Sequence, residues 1–432
     1  MSIEIGFYAV GILALLLVLR VPVALALIMV SFGGIWAMIG IRPALGILEN
    51  TPYSFVASWT MSAVPMFLLM GFVAYHTGLT AGLFDAAKVF LARLPGGLAI
   101  SSIFACSGFA ALSGSSIATA AAMGRIAIPE MIRAGYNPSI ATGSIAAGGT
   151  IGALIPPSIL MIIYGIIAET SVTQVFMGGI SIGIATAIAY SLVVLIISVT
   201  RPDIIPPRVK VDPGQGAKVF IQLLPVLFLI LVVFGGLFSG LFTATEAGAI
   251  GALGTFIVAG LTGKLTRVAI SRSLIETVTT TGSLLIIGIG ATMFTRFLGL
   301  SGLQSFIANT VAGADIGYVQ LMIIIVLIYL VLGMFMEPFG AMLVTLPVFL
   351  PVLEAQQVSL VWFGVFVVKM LEIGMITPPV GLNVFVIRNV ASQYATVVQI
   401  FKGVIPFLIA DMAVIALVIA VPAIVLWLPG FL

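Results

Sequence analysis

The sequence predicts an all-α integral membrane protein built as an inverted repeat, with about ten spanning helices and two re-entrant helical hairpins. Three observations carry that prediction: an extreme apolar composition, two Pro-Pro pairs inside helix-length apolar segments, and a register that repeats those pairs half a chain apart. The 432 residues are 61% hydrophobic and 7% charged, with a mean hydropathy of +1.31. No soluble core of this size needs such a composition. Pro156-Pro157 follows Gly152 and Pro378-Pro379 follows Gly374, both at the same offset (378 − 156 = 222). Proline inside a helix removes a backbone donor and clashes with the preceding turn, costing ~3 kcal/mol or more. Two breaks at equivalent positions therefore mark a working site rather than two defects.

The apolar runs place spans near residues 5 to 20, 22 to 40, 55 to 78, 138 to 168, 178 to 199, 220 to 239, 244 to 262, 277 to 300, 359 to 390 and 403 to 428. The first run lacks a basic start and a small-residue cleavage site, so it reads as a span and not as a signal peptide. Two further apolar stretches, 97 to 134 and 318 to 357, are interrupted midway by Ser113-Gly114-Ser115-Ser116 and by Met336-Glu337-Pro338-Phe339-Gly340. Each fits two helices of less than membrane length turning at a polar tip, a re-entrant hairpin. Non-helical backbone at that depth is tolerable only where protein or a water-filled cavity satisfies its amides. Segments 80 to 94, with Asp85, Lys88 and Arg93, and 302 to 316, with Gln304, Asn309 and Asp315, precede the hairpins and read as interfacial arms.

Charge orients this topology. Arg20, Lys88, Arg93, Arg133, Arg201, Arg208, Lys210, Lys218, Lys264, Arg267, Arg272, Arg388 and Lys402 all fall on one side, which the positive-inside rule assigns to the cytoplasm. Both termini are then periplasmic, the first hairpin enters from the cytoplasm and the second from outside. The repeat offset holds elsewhere: Ser115 maps to Glu337, Ser116 to Pro338 and Pro129 to Pro351. With five spans per half, an odd number, the second half must be inverted. The net charge of +3 reflects cytoplasmic loops and gives no reason to expect nucleic-acid binding. One cysteine, Cys106, excludes an intramolecular disulfide, and a single histidine, His76, excludes a His-based metal cluster. No clustered acids or nucleophile and base pair nominate an enzyme.

Tips and breaks expose what a helix hides. Carbonyls without helical partners replace water around a small cation, while half-helix N-termini face an anion. Hydroxyls cluster beside them, at Ser113, Ser115, Ser116, Thr119 and Thr150 in the first half and at Thr377 with Asn383 in the second. Hydroxyl and carbonyl oxygens suit Na⁺ better than a divalent ion, which favours carboxylates.

The stretches ALSGSSIATAAAMGRIAIPEM (Ala111–Met131), AGGTIGALIPPSILMIIYG (Ala147–Gly165) and VFMGG (Val175–Gly179) resemble the large membrane subunit of tripartite ATP-independent periplasmic (TRAP) transporters. The second half adds LGMFMEPFGAMLVTLPVFLP (Leu332–Pro351) and IGMITPPVGLNVFV (Ile373–Val386), also typical of that subunit. SGLFTATEAGAIGA (Ser239–Ala252) is similar too, although the family often carries proline where Ala244 stands. The likeness covers essentially the whole chain.

That resemblance implies an elevator-type transporter. A transport domain, 97–168 and 318–390, would slide against scaffold helices at 1–78, 178–199, 220–300 and 403–432, with arms at 80–94 and 302–316. The repeats would run over about 1–210 and 218–432. A small four-helix membrane subunit, expected as a separate chain, and a periplasmic binding protein would be its partners in the bacterial inner membrane. Na⁺ would be the coupling ion, with no other cofactor and no ATP; the chain carries no P-loop. Each inward charge contributes ~2.3 kcal/mol per 100 mV to uphill uptake of an organic acid.

The expected cargo is a C4-dicarboxylate, sialic acid or a related carboxylate or sulfonate. One Na⁺ site is expected from Ser113, Ser115, Ser116, Gly148, Thr150 and Gly152. Its mirror is expected from Gly333, Glu337, Gly340, Gly374, Thr377 and Pro378. The anion is expected against Ser115, Ser116, Thr119, Arg125, Pro157, Glu337, Pro379 and Asn383. Arg296 is a further candidate cation, whereas Lys369, three residues before Glu372, reads as its structural ion-pair partner. The alternative is a stand-alone dimeric Na⁺/carboxylate symporter of the same architecture, needing no binding protein.

Overall fold

The computed structural model describes residues 3–91, 93–206, 216–314 and 316–431. Arg208 and Lys210, and Asp315 of the second arm, lie outside the described residues, as does the side chain of Lys218. The first half runs α1 (Ile3–Val18), α2 (Val23–Ile39), α3 (Ile41–Val56), a 3₁₀ turn at Trp59–Ser62, α4 (Ala63–His76), α5 (Ala81–Leu91), α6 (Gly97–Ser113), α7 (Ser116–Arg133), α8 (Pro138–Thr150), α9 (Ile159–Ile167) and α10 (Val172–Thr200). The second runs α11 (Gly216–Phe238), α12 (Ala244–Leu261), α13 (Arg267–Ser301), α14 (Leu303–Gly313), α15 (Tyr318–Phe335), α16 (Pro338–Ala355), α17 (Leu360–Gly374), α18 (Leu382–Val390), α19 (Val397–Ala420) and α20 (Ala423–Leu426).

The repeat reaches well beyond the motifs. Shifted by 222 residues, α5 falls on 303–313 and α7 on 338–355, the bounds of α14 and α16, and α2 falls one residue from α12. Helix starts repeat as well. Asn137 caps α8 by accepting from the Ser139 amide, and its mate Ser359 caps α17 by accepting from the Trp362 amide. The halves differ at one place. The first breaks between α3 and α4, where the second runs unbroken through the 35 residues of α13.

Both hairpins and both broken helices are present. Gly114, in the left-handed region at φ 60°, turns the first hairpin between α6 and α7. Glu337 and Pro338 open α16 after the second turn, with proline at the helix start, where its missing N–H costs nothing. The expected span 138–168 is divided at Pro156-Pro157 into α8 and α9, and 359–390 at Pro378-Pro379 into α17 and α18; both Pro-Pro bonds are cis.

Among the described residues seven helical segments are long and apolar enough to cross a membrane: Trp59–His76, α10, α12, α13, α15, α16 and α19. Helices α1, α2, α6 and residues Leu223–Phe238 are apolar but shorter. Of the expected ten, two are split by the Pro-Pro breaks, α1 and α2 are short, and α11, 23 residues in all, is counted only over Leu223–Phe238. The hairpin helices α15 and α16 count because 18 residues reach ~27 Å, longer than the sequence predicted for a hairpin.

Packing sorts the helices into two sets. Helices α4, α12 and α13 pack together, with α2 and α3 on α13, α1 on α2 and α11 on α12. Helices α6 to α9 and α15 to α18 form the other set. Helices α10 and α19, expected among the scaffold at 178–199 and 403–432, pack instead on α6, α8, α17, α18 and each other. The arms bridge the sets, α5 lying on α6 and α11 and α14 on α16 and α13. Each is tied to a hairpin by a polar contact: Lys88 Nζ to Glu130 Oε1 at 2.6 Å, and Gln304 Nε2 to the Pro347 carbonyl at 2.9 Å.

Candidate functional site

Both hairpin tips and both helix breaks border one small cavity of about 90 Å³. Gly114, Ser115, Ser116 and Ile117 supply the first tip, and Glu337, Pro338 and Phe339 the second. Ala153, Ile159 and Leu160 flank the first break, and Glu372, Met375 and Leu382 the second. Beside it a cavity of about 510 Å³ reaches Ser113, Ser115 and Glu337 on one wall, and Gly71 and Tyr75 of α4 with Glu276 and Thr280 of α13 on the other. It therefore lies between the two packing sets. A further cavity of about 490 Å³ shares Tyr75 and Glu276 with it and carries Arg125, Arg272 and His76.

The first tip is held by its own hydroxyls. Ser115 caps α7, its Oγ accepting from the Ala118 amide at 3.4 Å. Thr119 Oγ1 donates to the Ser115 carbonyl at 2.8 Å and lies 3.1 Å from Ser113 Oγ. A Cβ on Gly152 would stand 2.6 Å from Thr119 Oγ1 and 2.8 Å from the Ser115 carbonyl, so the first break lies directly against the tip. Gly114 faces the Pro157 carbonyl with no room for a Cβ. Gly114→Ala is expected to cost about 1–3 kcal/mol, because it adds a left-handed non-glycine residue to that clash. A lowered Tm of the detergent-solubilised chain would report it.

Other members of the expected first ion site sit elsewhere. Gly148 packs on Cys106, a Cβ there lying 3.2 Å from its Sγ. Thr150 donates to the Ala147 carbonyl at 2.7 Å and lies 3.2 Å from the Tyr190 hydroxyl, on the α10 side. Helix α8 continues through Thr150, which turns that side chain away from the tip.

Around the second break, Gly333 of α15 crosses Gly374 of α17 so closely that a Cβ on Gly333 would lie 2.9 Å from the Gly374 Cα. Glu337 is exposed and lines both the 90 Å³ and the 510 Å³ cavities. Gly340 faces Val23 of α2 instead, 3.0 Å from a Cβ at that position. Thr377 Oγ1 donates to the Ile373 carbonyl at 2.7 Å. Pro378 and Pro379 are exposed, whereas Pro156 and Pro157 are buried. Asn383 is fully buried against α8: its Nδ2 donates to the Ala146 carbonyl at 3.4 Å, and its Oδ1 has no partner.

The cations divide. Arg125 is exposed to the basic cavity. Arg296 is committed to Thr51 Oγ1 of α3 at 3.1 Å. His76 Nε2 lies 3.1 Å from Glu276 Oε2, a partner the sequence did not indicate. The expected Lys369–Glu372 pair does not form: Lys369 Nζ is bound to Asp411 Oδ1 of α19 at 2.5 Å, and Glu372 accepts from Ser116 Oγ. Tyr190 of α10 donates to Asp411 at 2.8 and 2.9 Å. Lys369, Glu372, Asp411 and Tyr190 are all buried. Sequence reasoning passed over Asp411, yet a lone acid in a 24-residue apolar helix was a usable signal.

Broken helices and hairpin tips converging on one cavity inside a helical membrane fold define a transporter membrane subunit. The tripartite ATP-independent periplasmic transporter, DctM component, family matches residues 10–424, and this chain belongs to it. It is 34% identical over 377 residues to the C4-dicarboxylate TRAP transporter large permease protein DctM of Pseudomonas aeruginosa, covering 87% of both chains. It is 31% identical over 376 residues to the sialic acid TRAP transporter large permease protein SiaM of Vibrio cholerae, again covering 87% of each. The Alcanivorax borkumensis YdaH transporter shares the fold, with a TM-score of 0.64 at 14% identity over 88% of this chain and 89% of that one.

Proposed function

We propose that the chain is the large membrane subunit of a Na⁺-coupled uptake system for a small organic acid, a C4-dicarboxylate or sialic acid being the leading cases. The observation that carries this reading is the meeting of both tips and both breaks around one cavity. That geometry concentrates carbonyls, hydroxyls and helix N-termini, the groups that hold a small cation and a carboxylate together. The adjoining 510 Å³ is a fitting volume for a small acid. Arg125 and Arg272 in the next cavity raise the local concentration of an anion.

The moving body of the elevator comprises α6 to α10 and α15 to α19. This division takes in α10 and α19, because both pack on the broken helices. The scaffold is α1 to α4 with α11 to α13, and a small four-helix subunit and a periplasmic binding protein complete the system in the inner membrane.

Reconstitution tests the reading. With an inward Na⁺ gradient, proteoliposomes holding this chain, the small subunit and the loaded binding protein are expected to accumulate radiolabelled substrate, and omission of any one component is expected to stop uptake. Transport of free substrate by this chain alone would point to the stand-alone symporter instead.

A further inference from the structure

Glu372 is 1% exposed and is the last charged group of α17 before the second break. Its Oε2 accepts a hydrogen bond from Ser116, across the interface between the halves. Lys369 stands one turn earlier, where it would neutralise Glu372, but its ammonium is held by Asp411 at 2.5 Å. Among the described residues no cationic side chain lies within ion-pair distance of Glu372. Lys369 and Asp411 cancel, which leaves one buried carboxylate with a hydroxyl partner and no counter-ion. An unpaired buried charge of this kind is strongly disfavoured, so the carboxyl either takes a proton or is joined by a cation.

The space for that cation is present. Glu372 borders the 90 Å³ cavity together with Gly114, Ser115, Ser116 and Glu337, and such a volume holds a small ion with its residual water. Every polar group on that wall offers oxygen, the ligand a hard cation takes. Glu337 is exposed, so Glu372 is the one buried carboxylate on that wall, and it matches a single positive charge. We infer that Glu372 is the anionic ligand of a monovalent-cation site at the first hairpin tip, with the oxygens of Ser115 and Ser116 completing it. Ser116 then joins the two halves through the ion, so that filling the site fixes the first tip against the second broken helix.

This inference rests on the Na⁺-coupled reading, and its test separates the two. The complete complex carrying Glu372→Gln is assayed for the Na⁺ concentration giving half-maximal uptake, and the purified chain for its Tm in NaCl against choline chloride. The expected result is at least a tenfold higher Na⁺ requirement in both measurements, with Tm in choline unchanged or raised because the uncompensated charge is gone. An unchanged Na⁺ requirement, or a Tm lowered equally in both salts, would show a purely structural Glu372 and overturn the site. Should Glu372→Gln not fold, Ser116→Ala carries the test: a several-fold higher Na⁺ requirement supports the site, and none overturns it. A wild-type complex whose uptake ignores Na⁺ would overturn the coupling reading and this site with it, whereas Na⁺-driven uptake unaffected by either variant overturns this site alone.

Discussion

Asp411→Ala is expected to lower the stability of the chain by about 3–5 kcal/mol, the usual effect of removing one partner from a buried ion pair. Asp411 and Lys369 are both fully buried and 2.5 Å apart. Tyr190 donates to the same carboxylate, and its ring lies 5.5 Å from the Lys369 ammonium. The variant leaves Lys369 charged and Tyr190 without its acceptor in an apolar interior. The loss should appear as a depressed Tm in detergent, and Lys369→Met combined with Asp411→Leu should restore most of it, since apolar replacement of a whole buried pair is often neutral or stabilising. An unchanged Tm for the single variant would show that the pair contributes nothing. The network also has a functional consequence. Freed from Asp411, Lys369 can turn to Glu372 one turn away and compete with a cation there, so Asp411→Asn is expected to weaken the Na⁺ response of any protein that folds. At the proposed site the pair would also keep an internal ammonium away from Glu372.

Much of this architecture was legible because its signals are local. A Pro-Pro pair breaks a helix wherever it stands, and a Gly- or Pro-bearing polar tip inside an apolar run turns a hairpin. The 222-residue register carried those breaks and tips from one half to the other. Helix α3 was missed because Pro43, Glu49, Asn50 and Pro52 dilute its hydropathy. Its repeat mate offered no help: residues 41–56 map onto 263–278, the equally polar opening of α13. The first ten residues of α13 were missed for a similar reason, since Arg267, Ser271, Arg272, Ser273 and Glu276 mask an apolar helix. Long-range pairing was less accessible. Lys369 to Glu372 is a correct helical spacing, but a partner 42 residues away on α19 offered a shorter and better buried contact. The side of a helix that packs cannot be read from its length either, so the contacts of α10 and α19 with α6, α8, α17 and α18 were not legible in the sequence. Thr150 and Gly340 show the same limit: each lies close to its break or tip in sequence, and each faces away from the cavity because helical phase directs it.

Glu337→Ala is expected to abolish Na⁺-driven uptake while leaving the chain folded and its complex assembled. Glu337 and its repeat mate Ser115 both stand at the N-cap of the second arm of their hairpins. Ser115 spends its side chain on the Ala118 amide, whereas Glu337 makes no side-chain capping bond. Its carboxylate instead faces the 90 Å³ cavity and the 510 Å³ cavity between the two helix sets. A side chain so exposed buries little, so truncation should change stability by no more than about 0.5 kcal/mol. The charge is a different matter. At ~4 Å and an effective dielectric of ~20, a carboxylate attracts a monovalent cation by about 4 kcal/mol, which corresponds to roughly three orders of magnitude in affinity. Glu337→Gln should therefore be nearly as inactive as alanine, because it keeps the shape and loses the charge, while Glu337→Asp should retain part of the activity at a raised Na⁺ requirement. Uptake measured in proteoliposomes, beside size-exclusion of the complex, separates these outcomes. Near-normal uptake by the alanine variant would remove Glu337 from the site and leave Glu372 as the acid that neutralises the cation.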